Sequence, residues 1–209
     1  MKRIKKGFTL AEVASALVII GVVAAIVLPM VTKNIQRQQT GAILGRAVSQ
    51  IEIGNQNLIQ FTNMQNSSTS SYADTLSGAG LLNNLPNRIP AYWGVVDDNN
   101  DVIDISNYNG GNAGNEEANI TGGTRYVFSK FPAAVSIAGN AGQNINTPEA
   151  STGYSIYIDT NGWNRRPNMT GKDIFGFDLL NSGMLIPLED SEAGDYARQV
   201  VEDGFKVLY

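Results

Sequence analysis

Lys6-Gly7-Phe8-Thr9-Leu10-Ala11-Glu12-Val13 opens the stretch that decides the fold, and the apolar run behind it continues to Val31. A basic leader, residues 1–7, ends at Gly7, and the run starts with no polar gap. Between Val13 and Val31 lie 19 residues, of which Ser15 alone has a polar side chain. As a helix they extend about 28 Å, close to the thickness of a bilayer's hydrocarbon core. Glu12 is the single carboxylate of the run. A charge so near the start of a spanning helix is costly, and it points to a function and a partner for that group.

Two simpler readings fail on particular residues. A secretory signal needs a small-residue cleavage site behind its apolar core. The A-x-A here, Ala14-Ser15-Ala16, sits at the front of the core, so cutting there would leave most of the apolar segment on the product. A plain membrane anchor accounts for the run and its cationic flank. It accounts neither for Glu12 nor for Gly-Phe at the border.

Helical periodicity continues beyond the run. Leu44, Val48, Ile51, Leu58 and Phe61 follow at spacings of 4, 3, 7 and 3, with Asn55 in the gap. This is a narrow apolar stripe on a helix whose other faces carry Lys33, Arg37, Arg46 and several glutamines. One helix is expected from about Thr9 to about Thr62, roughly 80 Å long if unbroken. Pro29 removes a backbone donor and is expected to kink or locally melt it. Gly41, Gly45 and Gly54 each weaken an exposed helix by about 1 kcal/mol against alanine. The first part, residues 8–31, belongs in a membrane or a filament core, and the second, 32–62, offers its stripe to a sheet.

Residues 63–209 read as one globular domain. Residues 63–71 form a polar linker. Strands are expected at 92–96 and 102–105 about the turn 97–101, at 125–129 and at 154–159, the last alternating best. Residues 106–124 and 138–153 read as loops, 195–202 as a short helix, and 205–209 as a final strand. About 140 residues suffice for one modest core.

Composition narrows the function. Without Lys2, Arg3, Lys5 and Lys6 the chain keeps 11 of its 15 basic residues against 19 acidic ones, a net charge of −8. An acidic outer part argues against nucleic acid as a primary partner. The cationic leader stays cytoplasmic under the positive-inside rule, which sends the C-terminal part outward. With no cysteine and no histidine, disulfides, zinc sites and the common nucleophile–base pairs are absent.

Two acidic stretches bear on metal binding. Asp97-Asp98-Asn99-Asn100-Asp101 has D-x-N-x-D spacing, but Val102 replaces the glycine a calcium loop needs, so it reads as a hairpin turn. At Asp159-Thr160-Asn161-Gly162 a strand runs into a tight turn that gathers oxygen atoms, and Asp173 can return to the same point, an arrangement that suits a hard cation such as calcium. The alternative is that Asp159 and Asn161 make turn bonds to backbone and Asp173 caps a helix.

The segment G-F-T-L-A-E-V, with its basic leader, apolar helix and the proline twenty-second from Phe8, resembles the N-terminus of type IV prepilins and type II secretion pseudopilins. Asp159-x-Asn161-Gly162, Pro167-Asn168, Gly171-x-Asp173-x-Phe175-x-Phe177 and Gly183-x-Leu185-x-Pro187 look like a C-terminal signature of pseudopilin-like proteins. The resemblance implies an α+β, pilin-like fold, a long N-terminal α-helix packed on a small antiparallel β-sheet. It implies cleavage between Gly7 and Phe8 by a prepilin peptidase, methylation of the Phe8 amine, and a role for Glu12 in assembly. Implied partners are other pilin or pseudopilin subunits and an inner-membrane assembly platform. The implied place is a single pass through the bacterial inner membrane, with the domain periplasmic or extracellular. Some such pseudopilins bind calcium in a C-terminal loop, which would make Asp159, Asn161 and Asp173 its ligands. The expected function is a filament subunit of type II secretion or a related system, not an enzyme. Its competitors are a major or minor pilin for adhesion, motility or DNA uptake, and a tip binding module.

Overall fold

The computed structural model describes residues 7–62, 93–95, 120, 124–128, 132–139, 149, 151–180, 182–205 and 207. Helix α1 runs from Leu10 to Thr62. Six strands follow: β1 (Trp93–Val95), β2 (Thr124–Phe128), β3 (Ala134–Gly139), β4 (Ser151–Asp159), β5 (Ile174–Leu180) and β6 (Leu185–Pro187), and then helix α2 (Glu192–Glu202). The strands pair in chain order, every neighbour antiparallel, as one meander. The layout is α+β and pilin-like, a long helix against a small antiparallel sheet.

Alternation along the strands decides what each face meets, because successive side chains point to opposite sides. Val135 and Ile137 of β3, Tyr154, Ile156 and Ile158 of β4, and Phe175, Phe177 and Leu179 of β5 share one core. The register places Val135 opposite Ile158, and Ile158 opposite Phe175. Onto this face α1 lays Leu44, Ala47, Val48 and Ile51, and α2 adds Ala197 and Val200. The opposite face is smaller, with Ala134, Tyr157 and Ile174 meeting Ile120, Trp163 and Ala193. The stripe read from sequence therefore packs as expected over its described part; the side chains of Leu58 and Phe61 lie outside the described residues.

Two side chains of α1 also fasten the sheet's last edge. Glu52 Oε1 accepts from Leu185 N–H at 3.0 Å, and Asn55 Nδ2 donates to the Gly183 carbonyl at 3.3 Å. Asn55 is thus buried in the stripe for a polar reason, since its amide holds the turn before β6. Gly45 serves packing as well: a Cβ there would stand 3.0 Å from the Phe205 ring. The helix gives up some propensity at this point and gains a close approach by the C-terminal segment.

Several expectations need correction. The helix stays continuous through Pro29, so local melting does not occur. Thr32 Oγ1 donates to the carbonyls of Leu28 and Pro29, each at 3.0 Å, in the turn after the proline; the carbonyl that loses its donor is that of Ala25. The loop expected at 138–153 is strand at both ends, because β3 reaches Gly139 and β4 begins at Ser151. Strands β3, β5 and β6 depart from the expectation: in β3 alanine, serine and glycine surround Val135 and Ile137, β6 is three residues long, and glycine and aspartate interrupt β5. Helix α2 starts three residues early, because Ser191 caps it by accepting from Gly194 N–H at 2.9 Å. Phe205 is not in a strand; its φ is +62° and its N–H donates to the Val200 carbonyl, closing the end of α2. The linker at 63–71, the turn at 97–101 and the strand at 102–105 lie outside the described residues. So does most of the loop at 106–124.

Among the described glycines, Gly194 has the closest backbone neighbour. A Cβ there would run into the Leu188 carbonyl, which is backbone and cannot turn aside. Gly194→Ala should therefore cost roughly 3 kcal/mol despite the ~1 kcal/mol that alanine adds in a helix. Chemical unfolding of the full chain checks this.

Candidate functional site

The N-terminal element is built from a cap outward. Thr9 precedes the first helical residue, and its carbonyl accepts from Val13 N–H at 3.2 Å. Glu12 N–H donates to Thr9 Oγ1 at 3.3 Å, while Glu12 Oε2 accepts from both Thr9 N–H and Thr9 Oγ1 at 2.8 Å. This is a reciprocal capping box, in which the T-x-x-E spacing satisfies donors a helix start leaves bare. The sequence reading assigned Glu12 to assembly and missed this local role, although T-x-x-E before an apolar run is its signature. Ser15 Oγ donates to the Ala11 carbonyl at 2.8 Å, so the run's one hydroxyl is also satisfied within the helix.

The surface beyond the cap is apolar and uncovered. Phe8 is 88% exposed and Leu10 90%, and the large side chains from Val13 to Val31 stand open in the same way. Gly7 has open space around it. The Gly7–Phe8 bond therefore lies just outside the helix, where an enzyme can reach it. Among the described residues, α1 is the one helix long and apolar enough to cross a membrane.

The second element is the loop between β4 and β5. Its ends are zipped, since Thr160 N–H donates to the Asp173 carbonyl at 2.9 Å. Asp159 Oδ1 accepts from the N–H groups of Asn161 and Gly162 at 2.9 and 3.0 Å, the turn bonds the D-x-N-G pattern allows. Asp173 does not cap a helix. Its Oδ2 accepts from Asn161 Nδ2 at 2.8 Å and Asn168 N–H at 2.9 Å, and its Oδ1 from Met169 N–H at 2.6 Å. The structure thus brings Asp159, Asn161 and Asp173 together, with Asp173 as the post around which the loop is tied.

Three buried oxygens of this loop lack a donor: Asp159 Oδ2, Asn161 Oδ1 and Asn168 Oδ1. Asn168 also sits with φ +47°, and its Nδ2 donates to the Trp163 carbonyl at 3.1 Å. Its part in the cluster escaped the sequence reading, though the Pro167-Asn168 pair carried a signal. Burial, and next the facing Asp173 carboxyl, push the Asp159 carboxyl up to about 8, against the pull of the Asn161 and Gly162 N–H groups. Burial also raises Asp173, opposed by its donors from Met169, Asn168 and Asn161. Asp159, Asn161 and Asn168 each keep one oxygen without a donor, but no group of three or more carboxylates that could hold a metal occurs among the described residues. N–H groups already claim both oxygens of Asp173.

Comparison with known proteins bears on the first element. Residues 2–28 match the prokaryotic N-terminal methylation motif. No curated protein matches the chain. The motif, the exposed apolar helix and the pilin-like layout support a type IV prepilin-like protein. The motif belongs to structural, pilin-type proteins and implies processing by a peptidase and assembly with other pilin subunits; the one long apolar helix is consistent with a single-pass membrane anchor.

Asp159 sets a pH dependence whose sign follows from its raised value. The unfolded carboxyl titrates near ~3.9. The folded state therefore holds the proton longer, and stability is greatest below that value and lost as pH rises toward about 8. With chelator present, the unfolding temperature should fall between pH 5 and pH 8. Asp159→Asn should flatten most of that fall in a thermal titration.

Proposed function

We propose that the chain is a structural subunit of a type IV filament, a pseudopilus of type II secretion or a related system. It is inserted once in the inner membrane with its domain in the periplasm. A prepilin peptidase cuts between Gly7 and Phe8, and the Phe8 amine is methylated. An assembly platform then moves the subunit into a bundle of like helices. The observation that carries this reading is the uncovered apolar half of α1 with a carboxylate at its first turn.

Glu12 supplies the register. Among the described residues its carboxylate is held by Thr9. In the filament it turns to the Phe8 amine of a neighbouring subunit, while apolar contacts along residues 13–31 supply adhesion. Cleavage is needed twice, since it creates the amine and removes four cations that cannot leave the cytoplasm. A buried amine left unpaired costs about 3–5 kcal/mol, so the pair selects one register even where its net stabilisation is small. A surface pilus uses the same scaffold. The pseudopilin-like C-terminus favours the secretion apparatus.

Glu12→Ala should leave cleavage intact and lower the yield of assembled filament at least about tenfold. Fractionation of envelope and sheared material measures both, and a normal yield would contradict the pairing.

The loop supports a second, separate reading, that calcium ties it. The oxygens of Asp159, Asn161 and Asn168 would hold the ion, and Asp173 would position them. Calcium supplies positive charge that replaces the proton on Asp159 and fixes the loop where other pilins use a disulfide. Millimolar calcium should then raise the unfolding temperature more at pH 8 than at pH 5, and Asp159→Asn should abolish the rise. An unchanged unfolding temperature at pH 8 would dismiss the ion.

A further inference from the structure

A basic cleft opens where α1 leaves its apolar run and meets the β4–β5 loop. Its volume is 570 Å³. Lys33 and Arg37 line it from the helix, and Arg165, Arg166 and Lys172 from the loop, with Asp173 as the one carboxylate of the wall. Five of the 11 basic residues of the processed chain thus converge on one cleft in an otherwise acidic protein. Among the described residues, Lys33, Arg165 and Arg166 have no carboxylate within ion-pair distance.

Position identifies what the cations face. Lys33 and Arg37 follow Val31 by about 3 and 9 Å along the helix. The headgroup layer of one leaflet is roughly 5–8 Å deep, so Lys33 stands at the level of lipid phosphates and Arg37 just beyond it, within reach of its long side chain. The loop cations reach the same cleft from above. These charges also flank the span on the side that the positive-inside rule leaves poor in lysine and arginine, so orientation of the chain does not account for them. We infer that the cleft holds the phosphodiester headgroup of an anionic membrane phospholipid while the subunit waits in the bilayer. This rests on the reading above, that residues 8–31 span the membrane with the domain outside.

The competing occupant is the acidic flank of α2, Glu189 to Asp203, on a second copy. Shape argues against it. A cleft of this volume is in the range of small-molecule sites, whereas a helix with its side chains is about 10–12 Å across. A lipid phosphate also arrives at the right depth without any assembly.

The test uses the full chain, inserted in vesicles of equimolar phosphatidylglycerol and phosphatidylcholine. It is then extracted in detergent, and its retained lipid is identified by mass spectrometry. The chain should retain phosphatidylglycerol over phosphatidylcholine by at least roughly tenfold, since each cation near an anionic headgroup is worth about fivefold. Arg165→Glu with Arg166→Glu should erase the preference, Lys33→Gln with Arg37→Gln should reduce it, and Arg198→Glu, at an exposed residue that does not line the cleft, should leave it unchanged. Trp163 emission checks that each variant is folded. Insertion without lipid preference would overturn the cleft as a lipid site and leave the spanning reading standing. Salt-sensitive pairing of copies, lost in the loop variant with no lipid preference, would assign the cleft to the second copy instead. Failure to insert would overturn the spanning reading and this one together.

Discussion

One helix has to satisfy two different surroundings, and the rest of the molecule is arranged around that demand. Thirteen large apolar side chains between Leu10 and Val31 stand exposed. At about 2 kcal/mol each, their contact with water would cost on the order of 20 kcal/mol, more than the net stability of a typical domain. That half of α1 therefore belongs in lipid or among copies of itself. The other half is already covered, because Leu44, Ala47, Val48 and Ile51 fill one face of the sheet. Between the two lies a short polar stretch, and the cations of the cleft sit on it.

The polar groups of the apolar half are all satisfied locally. Thr9 and Glu12 cap each other, and Ser15 bonds one turn back. A carboxylate held by its own cap is less costly to keep in a membrane than a bare one, and it can still exchange that partner for an amine. The same two residues thus begin the helix and mark the filament contact proposed for it. At the far end of the chain, a domain with no cysteine closes its β4–β5 loop with carboxylates instead. Asp173 collects three donors. The burial this requires leaves Asp159 Oδ2 without a donor and pushes its carboxyl up to about 8.

The long helix and the α+β layout were legible because their signals are long and periodic. The run to Val31 is apolar on every face over about five turns, and the stripe from Leu44 to Ile51 marks one face over about two. Strand β4 was legible from Tyr154-x-Ile156-x-Ile158, but its first residues were hidden by the Ser-Thr-Gly that opens it. Strand β5 was obscured because Gly176 and Asp178 break its apolar run; they occupy the face opposite Phe175 and Phe177, so the alternation is present once the register is known. Of the final strand expected at 205–209, Phe205 and Val207 lie outside any strand, Val207 being buried in the core, and residues 206, 208 and 209 lie outside the described residues. At the loop, the residue types announced that Asp159, Asn161 and Asp173 would meet. Which of them would be consumed by N–H donors depended on the path from Trp163 to Met169, which residue types do not encode.

The central claim is that this chain is cut at Gly7 and enters a filament by its new N-terminus. The intact mass of the protein from native membranes tests it most directly. A mass equal to Phe8–Tyr209 plus one methyl group is the predicted result. A mass equal to the full chain, from cells with an active prepilin peptidase, would contradict the account and leave a membrane-anchored domain that does not assemble.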